Sequence, residues 1–490
     1  QSEKLGQTPQ EYVEHWNKRD YEDFTAFDIA FDFFYKTSSS ENVSFVQDVF
    51  KKLQENGHIY EKEIIQFFCE NDQKFLPDRF VKGTCPHCNA EDQYSDLCEK
   101  CGRVPEEIDN PHCSICGQTP VKKSTNHYFF KLKNFSEPLL EYLSNAPHLQ
   151  KDVKKYVENW IKEGLIDWDI TRDISWGVPI PIEGLTDKVF YGWFDNHLAY
   201  ISSTLKFLND KKIDGKTFWN EADIYHFIGK DIVYHHYLFL PAMRLGINNE
   251  FKLPDYIPTR GHLTLEGKKI SKSRNWYIGL KDFLEKFPAD YLRFYLISIN
   301  PYSQDDLNFD WEQFSTKINS ELIGNLGNLV NRALGFTTKA FDGVVPEPES
   351  FDEKDSESEK KIKSLADDVG KLMQENHLDR ALKQLMEFSA HFNQYFQHKE
   401  PWKKGPGTNA CIFLSVNAVR SIAICLHSFL PKSSQKIWSQ LGLEGNVSDI
   451  SWNEMSELKL KAGHKIGTVE PIFSKVESSD IEKEQSKLGN

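Results

Sequence analysis

The chain has 490 residues, enough for about three domains, with 39% hydrophobic and 27% charged residues and a formal net charge of −14. That charge argues against a protein that coats nucleic acid non-specifically, but leaves room for local basic faces such as 268–274 and 399–404. No charged-then-apolar segment opens the chain. The longest apolar stretch, 411–430, is broken by Asn417, Arg420 and His427, so it predicts a buried bundle helix rather than a membrane span. Paired cysteines without a secretion signal predict metal-bound thiols in a reducing cytoplasm rather than disulfides.

Residues 1–60 read as helical, with Phe24, Phe27 and Phe33 at apolar positions and a polar break at 37–41. Residues 65–125 are rich in cysteines and turn formers, and 135–166 return to helix. DKVFYGWFD (187–195) has the aromatic content of a strand, with a helix expected from Asn196. DIYHFI (223–228) reads as a second strand, and Gly229-Lys230-Asp231 then opens a helix to Leu245. This alternation predicts a parallel α/β sheet. From residue 312 the pattern is helical, with Leu378, Ala381, Leu382, Leu385, Phe388 and Phe392 at 3–4 spacing. Residues 345–361 read as a Pro-, Glu- and Ser-rich linker, and the charged tail from Val476 as a surface helix or frayed end.

CPHCNAEDQYSDLCEKCG (85–102) holds two C-x-x-C pairs. Such turns each present two thiolates at one edge, so Cys85, Cys88, Cys98 and Cys101 predict a closed tetrahedral zinc site. With no open position the site is structural, and binding of this kind contributes about 10–16 kcal/mol to folding a small module. Cys113 and Cys116 form a third pair whose partner pair is half lost, since Cys69 is followed three residues later by Asp72. Zinc accepts carboxylate oxygen, so Cys69, Asp72, Cys113 and Cys116 form either a second site or a decayed one.

GHLTLEGKKISKSRNW (261–276) combines glycine, lysines and small hydroxyls. Lys269 and Lys272 suit a clamp for a developing pyrophosphate charge. Taken alone, the stretch fits a basic surface loop equally well.

Together these pieces resemble the methionyl-tRNA synthetase family of class I aminoacyl-tRNA synthetases. KISKS (269–273) resembles the family's KMSKS loop. The cysteine motif, with FLPDRFVKGTCP (75–86) leading into it, resembles its zinc knuckle. FIGKDIVYHH (227–236) resembles the turn beside its methionine pocket. GNLGNLVNRALGF (324–336) and EPW (400–402) resemble its anticodon-binding bundle. The resemblance covers nearly the whole chain, in the same order.

It implies an α/β fold. A Rossmann-type catalytic domain, N-terminally incomplete and interrupted by a zinc-knuckle insertion, precedes an all-α bundle. The implied boundaries are 1–60 and 186–260 for the catalytic halves and 61–185 for the insertion, with knuckles at about 66–125. A loop and stem-contact region follows at 261–311, the anticodon-binding domain at 312–460 and a tail at 461–490. The implied reaction is ATP-dependent formation of methionyl-adenylate and transfer to methionine tRNA, for initiation and elongation of translation. Magnesium-bound ATP is the co-substrate and zinc the structural metal. Lys269, Ser271, Lys272 and Ser273 would hold the phosphates, and Asp231 and Arg172 (in WDITRD) would line the substrate site. Trp193, Tyr200, Ile232 and His236 would form the methionine pocket, aromatic walls suiting a polarizable thioether. Asn328, Arg332 and Trp402 would read the anticodon by stacking and base-edge bonds. Each has a structural alternative: Trp193 as strand core, His236 as core histidine, Trp402 as a helix staple, Arg332 in a surface ion pair.

The chain departs from the family pattern in places. The HIGH signature is absent from it, so half the phosphate site is expected to be missing from this chain alone. A longer parent protein, suggested also by the initial Gln1, or a non-catalytic tRNA-binding paralogue would account for that. Asn196, His197 and Leu240 stand where other residue types are common, which keeps a class I ligase of another amino acid as an alternative. A monomer in the cytoplasm, without membrane contact, is expected.

Overall fold

The computed structural model describes residue 2 and residues 5–95, 98, 100, 105 and 107–489. It divides into two compact units, 1–17 with 31–258 and 18–30 with 259–490. Helix α1 (Pro9–Ala26) buries none of its side chains.

In the first unit, helix α2 (Ser40–Glu55) is capped by Ser39 and buries Val46, Val49, Phe50 and Leu53, an apolar stripe at helical spacing. The long strand β1 (Ile59–Cys69) turns through β2 (Lys74–Phe75) into a small module of β3 (Val81–Thr84), β4 (Gln93–Tyr94) and β5 (Asp109–Cys113). The chain returns along β6 (Val121–Phe130), which pairs antiparallel with β1 over its whole length. Helices α3 (Ser136–Asn145) and α4 (Lys151–Glu163) follow, then the short strands β7 (Trp168–Asp169), β8 (Thr171–Arg172) and β9 (Val189–Phe190). The unit closes with α5 (Gly192–Asp210), α6 (Gly215–Glu221), β10 (Ile228–Gly229) and α7 (Leu240–Gly246). Its largest sheet has the order β2-β1-β6-β7 and is antiparallel throughout.

Two expectations change here. The strand expected over 187–195 shrinks to Val189–Phe190, and Trp193 sits on helix α5 rather than on a strand. Phe194, Leu198 and Ile201 are buried along one face of that helix, so packing overrides the β-propensity of the aromatic run. The segment 223–228 is extended as expected and pairs in parallel with 256–258, Tyr256 N–H donating to the Ile224 carbonyl at 3.0 Å, His226 N–H to the Tyr256 carbonyl at 2.9 Å and Ile228 N–H to the Pro258 carbonyl at 3.0 Å. The predicted helix from Gly229 begins as a 3₁₀ turn, Lys230–Ile232, and continues as a π-helical turn, His235–Phe239, into α7.

The second unit starts with β11 (Thr259–Arg260), β12 (Leu263–Leu265) and β13 (Lys268–Lys269), then α8 (Leu280–Leu284) and α9 (Ala289–Ser298). Strand β14 (Leu307–Phe309) pairs parallel to β12. The bundle follows: α10 (Trp311–Lys317), a π-helical stretch to Gly327, α11 (Asn328–Phe341), α12 (Glu353–Gln374), α13 (Leu378–Lys399), α14 (Thr408–His427) and α15 (Pro431–Gln440). Helix α14 is long and apolar enough to cross a membrane by composition, but its apolar window is 94% buried, the bundle core helix its sequence predicts. The expected linker over 345–361 gives way at Glu353 to α12, which a capping box of Asp352 and Asp355 starts. Asp355, Ser358, Ile362, Leu365 and Val369 form its buried stripe, hidden in the sequence by charged residues between them. The tail is neither frayed nor free. Helix α16 (Ser478–Ser486) buries Ile481 and Glu484, and Glu484 pairs with Lys286.

Candidate active site and metal-binding module

In the first unit, helix α5 carries Trp193, His197 and Tyr200 at i, i+4 and i+7, so the three share one face. The π-helical turn brings His235 and His236 against that face. An extra residue in a helical turn re-aims side chains and often marks a functional position. Trp193 stacks on His235 with centroids 4.3 Å apart. His236 Nδ1 lies 3.0 Å from the Ile232 carbonyl, which accepts only, so Nδ1 carries the proton. Nε2 then accepts from the Tyr200 hydroxyl at 3.1 Å. The structure thus brings Trp193, Tyr200, Ile232 and His236 together.

Sequence reasoning missed how many histidines meet there. His197 lies between Trp193, His235 and His236, and His226 packs edge-on against Tyr200 at 4.5 Å. Arg244 is wholly buried behind them, donating to the Lys252 carbonyl at 2.6 Å and lying 5.0 Å over the Trp219 ring. Burial, reinforced by the neighbouring histidines and Arg244, pushes His197 and His226 well below the ordinary range; burial and His236 push His235 down to about 4. The cluster is therefore neutral imidazole and aromatic at physiological pH. His197 is buried and Leu240 lies in the core, while Asn196 is exposed. The repeated histidines are visible in the sequence, but only the turn geometry makes them converge.

Asp231 lies on the 3₁₀ turn at the end of β10. A Cβ at Gly229 would sit 2.6 Å from Asp231 Oδ1, so glycine lets the carboxylate fold back against the backbone. Arg172, on β8, lies over the Tyr191 ring at 3.8 Å with Asp169 Oδ2 3.4 Å from its Nη1.

The two-lysine loop belongs to the second unit. β12 and β13 form a hairpin whose turn residues, Glu266 and Gly267, both have positive φ. Ser271 and Trp276 exchange backbone bonds at 2.8 and 2.9 Å, and Trp276 Nε1 donates to the Leu265 carbonyl at 2.8 Å. This frame leaves Lys269 exposed on the hairpin strand and Lys272 exposed on the 3₁₀ turn 272–274, which also carries Ser273, its side chain outside the described set.

The metal-binding module is built from paired turns of one kind. Asn89 N–H donates to the Cys85 carbonyl at 2.9 Å, and Gly117 N–H to the Cys113 carbonyl at 2.8 Å. Asn89 and Gly117 both have positive φ, so CPHCN and CSICG are the same knuckle with the two residue types that tolerate it. Cys85, Cys88 and Cys98 converge, with Cys88 and Cys98 sulfurs 3.6 Å apart; Cys101 lies outside the described residues. Cys69, Asp72, Cys113 and Cys116 converge separately. Asp72 Oδ2 is 3.2 Å from Cys69 Sγ and 3.1 Å from Cys113 Sγ, and the Cys69 and Cys116 sulfurs are 3.4 Å apart. Sulfur ligands at about 2.3 Å from a tetrahedral ion set edges of about 3.8 Å, so both clusters fit one after slight outward relaxation. As thiols, Cys116, Cys113 and Cys69 donate to the Asp72 carboxylate and hold it at about 2; as zinc ligands the cysteines would give up those protons.

In the bundle, Arg332 and Trp402 line a groove of about 880 Å³ together with Phe336, Lys339, Phe396 and Lys465. Arg332 lies over Phe396 at 4.9 Å and Trp402 at 5.9 Å, and donates to Gln397 Oε1 at 3.0 Å. The partner is thus a neutral amide, where the structural alternative for Arg332 called for an acid. Asn328, one turn earlier on α11, donates to Asn393 Oδ1 at 2.8 Å.

The family described as tRNA synthetases class I (M) matches residues 1–334, and the anticodon binding domain of methionyl tRNA ligase matches residues 345–490. The methionine–tRNA ligase of Methanopyrus kandleri is 41% identical over 500 residues, which covers 100% of this chain and 73% of that protein. That of Pyrococcus horikoshii is 39% identical over 500 residues, covering 98% and 68%. Among solved structures, Mycobacterium tuberculosis methionyl-tRNA synthetase in complex with methionyl-adenylate has a TM-score of 0.79 at 22% identity, covering 96% of this chain and 88% of that one. That likeness bears on the fold, an α/β catalytic part followed by a helical bundle.

Proposed function

The chain belongs to the class I methionyl-tRNA synthetase family, and from that premise we propose how its residues divide the reaction. The protein activates methionine with magnesium-bound ATP and passes the methionyl group to methionine tRNA. The observation that carries the assignment of the site is the convergence of Trp193, Tyr200, Ile232 and His236. A wall of indole, phenol and neutral imidazole suits a polarizable thioether, and it offers no charge that would favour a charged side chain.

Asp231 and Arg172 serve the substrate site. Lys269 and Lys272, with Ser271 and Ser273, hold the phosphates, where fixed positive charge favours the developing pyrophosphate. The exposure of both lysines, on the hairpin strand and on the turn that follows it, supports this role. Arg332 and Trp402 form a stacking platform for a single-stranded anticodon, with Asn328 on the same helix face. Zinc is the metal of both cysteine clusters. Its ligands would be Cys85, Cys88, Cys98 and Cys101 in one and Cys69, Asp72, Cys113 and Cys116 in the other. It is structural in both, since four protein ligands leave no open position.

Methionine-dependent ATP–pyrophosphate exchange tests the division. Lys272→Ala in the natural gene product should lower exchange by about 100-fold or more, the scale of removing one transition-state charge contact. Binding of methionine tRNA should persist. Unchanged exchange would remove the loop from the reaction, and joint loss of exchange and tRNA binding would indicate general damage instead.

A further inference from the structure

Strand β6 carries His127 into a wholly buried position beside the segment 168–173. Its Nδ1 lies 2.7 Å from Asp169 Oδ2 and its Nε2 lies 2.7 Å from Asp173 Oδ2. A neutral imidazole offers one N–H and one lone pair, and a lone pair at that distance from a carboxylate oxygen is repulsive. Both contacts are favourable together only when both ring nitrogens donate, so the ring is an imidazolium. Burial opposes the charge, but the bonds to Asp169 and Asp173 outweigh it and hold His127 above the ordinary histidine range.

The surrounding charges are arranged around this ring. Lys188, buried beside Asp173, pairs with its Oδ1 and donates to Thr125 Oγ1 at 2.8 Å. Asp187 lies 3.6 Å from Lys188 on the exposed side. Asp169 faces the other way as well. Its Oδ1 accepts from the Thr171 N–H at 3.2 Å, and its Oδ2 lies 3.4 Å from Arg172 Nη1. The guanidinium also donates to the Thr171 carbonyl at 2.7 Å. Arg172 and Asp169 together open onto a cavity of about 310 Å³.

A buried ion cluster is a poor device for stability alone, because desolvation offsets most of its attraction. It is a good device for direction, since both carboxylates are held from several sides, Asp169 Oδ2 lying between His127 and Arg172 and Asp173 Oδ1 between Lys188 and Thr125. We propose that His127 is a positioning residue for Arg172: the imidazolium, bonded on both nitrogens, fixes Asp169, and Asp169 sets the orientation of the guanidinium. This rests on the reading of Arg172 as a substrate-site residue. The clamp is complete below the raised value of His127 and weakens as pH climbs through it, when one nitrogen loses its proton and faces a carboxylate with a lone pair.

Two measurements test it. In a double-mutant cycle on ATP–pyrophosphate exchange, Arg172→Ala and His127→Gln should each lower kcat, the second by about 10- to 100-fold, the scale of a misplaced catalytic contact. The double variant should be no slower than Arg172→Ala alone. Multiplying losses would overturn the positioning role while keeping Arg172 in the site. Wild-type exchange in Arg172→Ala would instead sink the reading of Arg172. Independently of whether His127→Gln folds, nitrogen NMR of histidine-labelled wild-type protein at about pH 6.5 should show both His127 nitrogens protonated. A neutral tautomer would overturn the clamp itself.

Discussion

Trp402 is 42% exposed, an uncommon condition for an indole that has only structural work to do. It lies on the 3₁₀ turn Pro401–Lys403, which Glu400 enters in a left-handed conformation. Arg332 meets it from α11 at 5.9 Å and donates to Gln397 Oε1 at 3.0 Å. Trp402→Ala should therefore weaken binding of methionine tRNA by about 1–3 kcal/mol, the usual worth of one base–aromatic stack, with exchange unchanged. An unaltered tRNA affinity would return Trp402 to a helix staple. At this scale the sequence was partly legible. Arg332 and Trp402 sit in motifs readable on sight, whereas the meeting of His197, His226 and His235 depends on contacts between segments tens of residues apart. Trp193 shows the opposite difficulty. Its neighbours favour a strand, and only the burial of Phe194, Leu198 and Ile201 on one face makes a helix of them.

Among elements, the knuckles were the most legible, because a C-x-x-C turn is local and needs few residues to specify it. The left-handed Asn89 and Gly117 complete the same pattern in both. Whether Asp72 is a ligand was not legible, since a carboxylate three residues after a cysteine has no special spacing of its own. Its position 3.1–3.2 Å from two cysteine sulfurs supports a ligand role. Metal analysis should accordingly give two zinc ions per chain, and Asp72→Asn should release one of them while exchange persists. A single zinc that Asp72→Asn leaves in place would contradict the second site. Helix α12 was hidden for a different reason. Its Glu, Ser and Lys residues have the composition of a linker, and the buried stripe emerges only when every third or fourth position is read separately.

On the scale of the whole molecule, the order of parts was legible and the sheet was not. Each part has a local signature: the cysteines, the two-lysine loop, the helical periodicity after residue 312. Strand pairing is long-range, and here the longest ladder joins β1 to β6 in antiparallel register across the cysteine module. The candidate amino-acid pocket belongs to the first unit, and the two-lysine loop belongs with the bundle in the second. The central claim is that Trp193, Tyr200, Ile232 and His236 of the first unit select methionine, with His197 packed among them and Leu240 in the core. The measurement that tests it most directly is amino-acid-dependent ATP–pyrophosphate exchange on the natural gene product, with all twenty amino acids in parallel. Exchange with methionine alone is the predicted result. Exchange driven by a different amino acid, or none with tRNA binding intact, would contradict it.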